Sequence, residues 1–139
     1  MATIINISPI DFEKDVAVGI DLPMLGSHGS SFKLNYTTLD QAVANARNLL
    51  LTNRGERVMQ PEFGCDLDNI VFENLTNSVI ATVESNIRSN FDYWLPYIFI
   101  NSLSVVPNQD SNKLYISITI SLEGNQFSTR SISLEVVPN

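Results

Sequence analysis

The chain has 139 residues and a net charge of −7, from 15 acidic and 8 basic side chains, and 44% of its residues are hydrophobic. That apolar content supports one domain with a modest core and excludes wholesale disorder. The acidic balance argues against nucleic acid or an anionic membrane surface as a partner, because both require clustered lysine and arginine. No apolar run approaches the roughly 20 residues that cross a membrane.

The sequence predicts an extended N-terminal arm for residues 1–36 and a single domain for residues 37–139. Within the arm, residues 16–22 alternate between apolar and other side chains, which is a weak strand signal. Residues 26–31 are rich in glycine and serine and predict a flexible loop. The arm is either a frayed leader or a segment that becomes ordered against a partner.

Two amphipathic helices are predicted within the domain. Residues 38–51 form the first, and Thr38 with Gln41 has the spacing of a capping box. Residues 76–93 form the second, with Thr76 or the residue after it as the N-cap. The apolar stripes expected to face the core are Leu39, Ala42, Val43, Ala46, Leu49 and Leu50 in the first helix and Val79, Ile80, Val83, Ile87 and Phe91 in the second.

A central loop, residues 54–76, separates the helices and is much longer than the roughly 2–8 residues usual between helices. Gly55 and Gly64 can take positive φ without steric cost. A short helical turn is expected from Leu67 to Phe72, with Asp66 as its N-cap. The apolar residues expected to pin the loop to the core are Met59, Phe63, Leu67, Ile70, Val71 and Phe72. The loop by itself predicts a packed, rigid connector.

The rest of the chain predicts three strands, at residues 98–106, 114–122 and 127–137. The second has the cleanest alternation of aliphatic with polar residues. The polar connections at residues 107–112 and 124–125 fit antiparallel hairpins. We therefore predict an α+β fold, with two main helices packed on the aliphatic face of a small three-stranded antiparallel sheet.

The third strand is predicted to be a partner-binding edge. Neither edge of the sheet has an obvious block, since the third strand has no proline before Pro138 and Glu135 is interpreted as its only interior charge. The alternative is a short serine-rich edge that solvation protects. The residues assigned to the binding edge are Phe127, Thr129, Ser131, Ile132, Ser133, Leu134, Glu135 and Val136.

Catalysis is not favoured by the sequence. A glycosidase needs two carboxyl groups roughly 5–9.5 Å apart, one of them kept protonated, and the central loop offers acidic residues without a recognisable sugar cleft. The candidates are Glu56, Glu62, Asp66, Asp68 and Glu73. Such a density is also typical of an ordinary acidic loop.

The sequence also predicts neither a metal site nor a cofactor. It has no histidine and cysteine cluster, no calcium-loop spacing, and no phosphate-loop or dinucleotide fingerprint. Cys65 is the only cysteine and His28 the only histidine, so an intrachain disulfide is impossible. A small buried cysteine is favoured over a catalytic Cys–His pair.

The central loop resembles that of a known family. Its motifs are Gly55-Glu56-Arg57, then Pro61-Glu62-Phe63-Gly64-Cys65-Asp66-Leu67, and then Phe72-Glu73-Asn74-Leu75-Thr76. They are similar to the T-even bacteriophage baseplate wedge family, which is often labelled lysozyme-like and includes the sheath initiator of type VI secretion baseplates. The structural-motif residues are Gly55, Glu56, Arg57, Pro61, Glu62, Phe63, Gly64, Phe72 and Pro96.

The resemblance implies a non-enzymatic structural protein of a contractile-tail phage baseplate, assembled in the host cytoplasm and present in several copies in the virion. Its implied partners are the tail sheath protein and other baseplate wedge proteins. The sheet edge would accept a strand and nucleate the sheath, while the arm and first helix would contact other wedge proteins. The alternatives are a peptidoglycan-degrading enzyme and the sheath initiator of a type VI secretion or tailocin-like machine.

Two features of the resemblance concern charged residues. Arg57 and Glu62 match family motifs and are interpreted as braces of the central loop. The family usually carries a Glu-Pro-Arg triplet after the second helix, whose charges brace the fold from inside. Here Leu95, Pro96 and Tyr97 stand in its place, so the turn is kept and no role for those charges is carried over.

Overall fold

The computed structural model describes residues 9–13, 15–21, 33–70, 75–123 and 125–137. The elements in chain order are a 3-10 helix Pro9–Phe12, β1 Gly19–Ile20, β2 Leu34–Asn35, α1 Thr38–Leu51, α2 Leu67–Ile70, α3 Asn77–Trp94, β3 Ile98–Asn108, β4 Lys113–Leu122 and β5 Asn125–Val136. The predicted α+β architecture is confirmed. The sequence-based expectations for residues 26–31, Val71, Phe72 and Glu73 fall outside the described residues.

The main sheet has the order β3-β4-β5, and both pairings are antiparallel. On β4, Leu114, Ile116 and Ile118 are buried against the helices, while Ser117 between them is exposed. Both predicted helix stripes are confirmed, because all their members are buried or pack against the buried core. The sheet therefore has one face covered by α1 and α3 and one largely polar face.

The start of α1 differs from its prediction. Thr37, in extended conformation, is the N-cap, and its hydroxyl oxygen accepts a hydrogen bond from the Asp40 N–H at 3.2 Å. Thr38 lies inside the helix, where its N–H and hydroxyl donate to the Asp11 carboxylate at 2.9 and 2.6 Å. The predicted capping box of Thr38 with Gln41 is therefore wrong, because Thr37 is the N-cap and Thr38 contacts Asp11 of the arm instead. Spacing along the chain cannot reveal that contact.

The described part of the arm folds back onto α1. Gly19 pairs with Asn35 to form a small antiparallel sheet of two strands, which is shorter than the strand signal at residues 16–22. Asn35 is buried, and its side-chain amide donates to Gln41 Oε1 at 3.1 Å. The two short strands thus lie beside the N-terminal half of α1.

The two edge strands of the main sheet differ in regularity. The register of β3 against β4 shifts between Ile100 and Ser102, and Pro107 lies within the strand. At the shift, Asn101 Oδ1 accepts a hydrogen bond from the Ser121 hydroxyl at 3.0 Å, which keeps Ser121 buried although it belongs to the polar face. A bulge and a proline both disfavour the addition of another strand at this edge.

Among the described residues, no helix is both long and apolar enough to cross a membrane.

Candidate functional site: the sheet edge and the central loop

β5 presents a regular edge of eight residues. Thr129 to Val136 pair with Ser121 to Leu114 of β4 without interruption, and the one irregularity precedes them. Within the described part of the chain, β4 is the only strand that pairs with β5. The N–H and C=O groups that point away from β4 therefore form a row open to another strand.

The predicted edge residues divide between the two faces of β5. Ile132 and Val136 are buried under the helices and Leu134 is half-buried. On the polar face, the exposed residues are Thr129, Ser131, Ser133 and Glu135. The side chain of Phe127 lies outside the described residues.

Charged side chains stand near both ends of this edge. Glu135 accepts a hydrogen bond from Lys113 Nζ at 2.6 Å, and this bond raises the pKa of the Lys113 ammonium. Arg130, which the sequence analysis overlooked as a charge within the strand, lies 3.6 Å from Asp40 of α1. The signal was present in the sequence, since Arg130 falls within the alternating run.

Backbone hydrogen bonds close the central loop on itself. The Gly55 N–H donates to the Pro61 carbonyl at 2.7 Å, and the Cys65 N–H donates to the Thr52 carbonyl at 3.2 Å. Gly64 has φ +126°, and a Cβ placed on it would collide with the carbonyl oxygen of Thr52. Only glycine fits both the dihedral angle and the space at this position.

A stack of side chains attaches the loop to the end of α3. The Arg57 guanidinium lies 3.8 Å from the centroid of the Phe63 ring, a cation–π geometry. Phe63 meets Trp94 edge-on at 5.2 Å between centroids, and Trp94 meets Tyr93 at 4.9 Å. The structure thus places Arg57 against a buried aromatic ring of the loop.

Glu62, the other residue interpreted as a brace, is exposed, and no hydrogen bond or ion pair joins it to the described residues. Glu56 has the closer contact, because its carboxylate accepts a hydrogen bond from the Asn53 N–H at 3.0 Å. The bracing role of Glu62 stays a prediction.

The apolar residues of the loop separate into two groups. Phe63 and Leu67 are buried as expected, and Ile70 packs against the core. The expectation for Met59 is wrong, since its side chain is 92% exposed, next to Val58 at 94%. The Gly55–Pro61 hydrogen bond makes this segment the tip of a tight turn, which directs both side chains into solvent.

Asparagines of α3, which sequence reasoning missed, complete the attachment of the loop. Asn86 Nδ2 donates to the Cys65 carbonyl at 3.0 Å, and Asn86 Oδ1 accepts from Asn90 at 2.7 Å and from Arg54 at 3.3 Å. Their spacing of four residues on α3 was the available signal. A cavity of about 470 Å³ lies between the loop and α3, and Glu62 is the one carboxylate that lines it.

Cys65 is fully buried, and burial raises the pKa of its thiol to about 12. The thiol is therefore protonated at neutral pH and lacks the thiolate that nucleophilic catalysis requires. His28, its hypothetical partner, lies outside the described residues. Across the described ranges, no group of three or more histidine, cysteine or acidic side chains could hold a metal ion.

Three of the candidate carboxylates of the loop, those of Glu56, Asp66 and Asp68, accept hydrogen bonds from neighbouring side-chain amides. Asn53 Nδ2 lies 2.9 Å from Asp68 and 3.4 Å from Glu56. Asp66 has φ +55° and accepts a hydrogen bond from the side-chain amide of Asn69 at 2.7 Å. Positive φ is not the extended geometry of an N-cap, so the expected capping role of Asp66 at α2 is wrong.

The turn after α3 shows how the residues in place of the family triplet are accommodated. Leu95 caps α3 and is buried in the core. The chain turns at Pro96, and the Ile98 N–H donates to the Leu95 carbonyl at 3.0 Å. The Tyr97 hydroxyl accepts a hydrogen bond from Asn45 of α1 at 2.8 Å. Apolar packing and one neutral hydrogen bond therefore join α1 to the start of β3.

Comparison with known proteins decides the family. The sequence model of the family described as Baseplate wedge protein gp25 matches residues 38–126. The chain belongs to this family. Baseplate wedge protein gp25 of Enterobacteria phage T4 is 35% identical over 88 residues, which cover 63% of this chain and 67% of the T4 protein. The protein is accordingly a baseplate wedge protein of the virion tail baseplate, and the resemblance seen in the central loop is confirmed.

Solved structures share the fold of this baseplate wedge protein. A Geobacter sulfurreducens protein described as a tail lysozyme has a TM-score of 0.61 and 24% identity, over 71% of this chain and 89% of that one. A chain of the postcontracted pyocin R2 baseplate has a TM-score of 0.58 and 23% identity, over 73% and 100%. A chain of the anti-feeding prophage baseplate has a TM-score of 0.55 and 18% identity, over 86% and 84%.

Proposed function

We propose that this baseplate wedge protein is a non-enzymatic component of a contractile tail that nucleates the sheath by accepting a strand of the tail sheath protein. The strand adds to β5. The observation that carries the proposal is the continuous register of Thr129 to Val136 at an edge that, among the described residues, pairs on one side only. An added strand would satisfy the outward row of backbone groups.

The choice of β5 over β3 rests on the difference between the two edges. β3 has a register shift at Ile100 and a proline at Pro107, and each interrupts the ladder that a new strand would need. β5 has neither within its regular stretch. No other strand of the described ranges lies along its outer side, which leaves that side to a partner.

Backbone hydrogen bonds alone do not hold such a strand. Each contributes about 0.5–1.5 kcal/mol net, while ordering each residue of the incoming segment costs about 1–2 kcal/mol. Side chains of the added strand must therefore bury apolar surface beside Ile132 and Leu134. Leu134 is only half-buried, so an added strand gains further burial there.

The arm and α1 provide separate surfaces for other wedge proteins in a baseplate that holds several copies. Described residues of the arm expose apolar side chains, with Phe12 71% and Ile20 42% exposed. These residues lie apart from the regular edge of β5 along the chain. We assign them to contacts within the wedge.

Amide hydrogen exchange of the full chain, alone and with purified sheath protein, tests strand addition. We expect new protection in β5 between Thr129 and Val136, because outward N–H groups would gain acceptors. Protection confined to the helices or the arm would contradict the proposal and place the interface elsewhere.

Proline variants locate the edge. Neighbouring residues direct their N–H groups to opposite sides of a strand, so one of Ile132→Pro and Ser133→Pro removes a bond to β4 and the other removes an outward N–H. The informative variant is the one that keeps the thermal unfolding of the wild type. We expect that variant to lose sheath nucleation. Ser117 exchanges backbone hydrogen bonds with only one of Ser104 and Ser133, which face it from opposite edges, so Ser104→Pro on β3 is the matched control for Ile132→Pro and Val105→Pro is the control for Ser133→Pro. Normal nucleation by the informative variant would refute strand addition at β5.

The non-enzymatic part of the proposal has its own assay. Purified protein should release no fragments from peptidoglycan, because the Glu56 and Asp68 carboxylates are engaged by Asn53 and Glu62 lines its cavity without a second acid. Activity that disappears in Glu56→Gln or Glu62→Gln would overturn it.

A further inference from the structure

A groove of about 350 Å³ borders β5 at Arg130 and Ser131. Arg130 is in register with Ile120, on the face covered by helices, and Ser131 is in register with Thr119, on the polar face. Because these two residues belong to opposite faces of the sheet, a groove that both of them line runs along the outer edge of β5. An added strand would lie there, about 4.8 Å from β5.

The far side of the groove is formed by the arm and one flank of α1. Leu34 and its neighbours in β2 line it, and so does Val43 of α1. Leu34 is 43% exposed and Val43 half-buried, so apolar surface remains available. A segment beside Arg130 would therefore be enclosed between β5 and β2 rather than added to a bare edge.

The groove is slightly basic in an acidic protein, because three basic and two acidic side chains line it. It is lined by Lys33, Arg47 and Arg130, which are three of the 8 basic side chains in a chain with 15 acidic ones. The carboxylates that line it are Asp21 and Asp40. Lys33 is paired with Asp21 at 2.7 Å. Arg130 approaches Asp40 at only 3.6 Å in a half-exposed pair, which leaves most of its five N–H donors for another acceptor.

β5 presents a basic residue followed by aliphatic residues at alternate positions, and a partner strand has to match this pattern. Ile132, Leu134 and Val136 follow Arg130 on the same face and lie against the core. Side chains directly opposite one another on adjacent strands have Cβ atoms about 4.5–5.5 Å apart, and opposite charges there are favourable. The position opposite Arg130 thus suits a carboxylate, and alternate positions beyond it suit aliphatic side chains.

We infer that Arg130 and this groove select an extended protein segment with an acidic side chain opposite Arg130 and aliphatic residues at the following alternate positions. This selection rests on the proposed strand addition and specifies the segment that β5 accepts. The carboxylate sets the register, because a slip of one residue would move it to the opposite face.

Peptide binding by the full chain tests the selection. The probes are peptides of about eight residues that alternate valine and threonine and carry glutamate or lysine at one end. Both end placements are used, since an added strand can run in either direction. The variants are Arg130→Gln, Arg130→Glu and the control Arg88→Glu, which reverses an exposed charge on α3 outside the groove.

For the wild type and Arg88→Glu, we compare the peptides in whichever strand direction binds more tightly. We expect the glutamate peptide to bind about fivefold more tightly than the lysine peptide, which corresponds to about 1 kcal/mol, the upper value for an exposed ion pair. Arg130→Gln should abolish the preference and Arg130→Glu should reverse it. The preference should shrink at about 1 M salt, where the Debye length falls to about 3 Å. Thermal unfolding of each variant separates loss of selection from loss of folding.

Equal binding of glutamate and lysine peptides by the wild type, with β5 protected from exchange in both complexes, would overturn the selection and leave strand addition intact. An unchanged preference in folded Arg130→Glu would also overturn it. Absence of β5 protection with every peptide and with sheath protein would overturn both proposals.

Discussion

Replacing Gly64 by alanine tests whether the close approach of the central loop to the end of α1 determines stability. Gly64 has φ +126°, and the new Cβ would overlap the Thr52 carbonyl oxygen and lie 2.9 Å from its carbonyl carbon. Both obstacles are backbone, so no side-chain rotation relieves them. Gly55→Ala is the matched control, because Gly55 has φ +90° and open space around its Cα.

The expected cost of Gly64→Ala combines two contributions. An alanine held at this φ costs about 1–3 kcal/mol. Moving the loop away also breaks the Cys65–Thr52 hydrogen bond, worth about 0.5–1.5 kcal/mol net. The total is about 1.5–4.5 kcal/mol with a midpoint of about 3 kcal/mol, against about 1–2 kcal/mol for Gly55→Ala, which has only the dihedral term.

Thermal unfolding distinguishes the two variants. For a chain of 139 residues, 1 kcal/mol corresponds to about 3–4 °C in Tm. Gly64→Ala should therefore lower the Tm by about 10 °C, and Gly55→Ala by about half as much or less. Equal shifts in the two variants would refute the reasoning, because the contact with Thr52 would then contribute nothing.

Three further predictions follow from burial and hydrogen bonding. Phe63→Ala should lower the free energy of unfolding in urea by about 3–5 kcal/mol, because Phe63 is buried. Val58→Ser with Met59→Ser should change it by at most about 0.5 kcal/mol per substitution, because those two side chains are more than 90% exposed. A large loss of stability in the second variant would contradict the placement of the loop tip in solvent. The Cys65 thiol is protonated in the folded and unfolded states below about pH 9, and as pH rises towards about 12 the unfolded chain releases this proton first. The free energy of unfolding should therefore fall over that range by a few kcal/mol at most. Cys65→Ala should lack this component, and identical pH profiles of the two proteins would refute it. Tyr97→Phe should lose about 0.5–1.5 kcal/mol through the bond to Asn45, and an unchanged Tm would show that water replaces that bond.

The strand at the candidate edge could be predicted from the sequence, but the groove beside it could not. Alternation within residues 127–137 located the strand. The groove at Arg130 could not be predicted, because it depends on where β2 and α1 lie relative to β5. Those elements are about 90 residues away along the chain, and spacing carries no information over that separation.

Local periodicity by itself determined α1, α3 and β4. Their apolar residues recur at helical or alternate spacing, and burying one face leaves little choice of element. The motifs around Gly55, Pro61 and Gly64 also marked the central loop as a rigid connector and indicated the family. These features depend on residues within a few positions of one another, which sequence displays directly.

Tertiary structure alone decided the contacts that join distant segments. Asp11 caps α1 through Thr38, Thr52 excludes any side chain at Gly64, and the tip of the loop turns Met59 outwards. Each outcome depends on the position of a partner that the chain brings near only after folding. The physical reason is that burial and hydrogen bonding are set by three-dimensional neighbours, whereas sequence periodicity specifies only the face that each element presents.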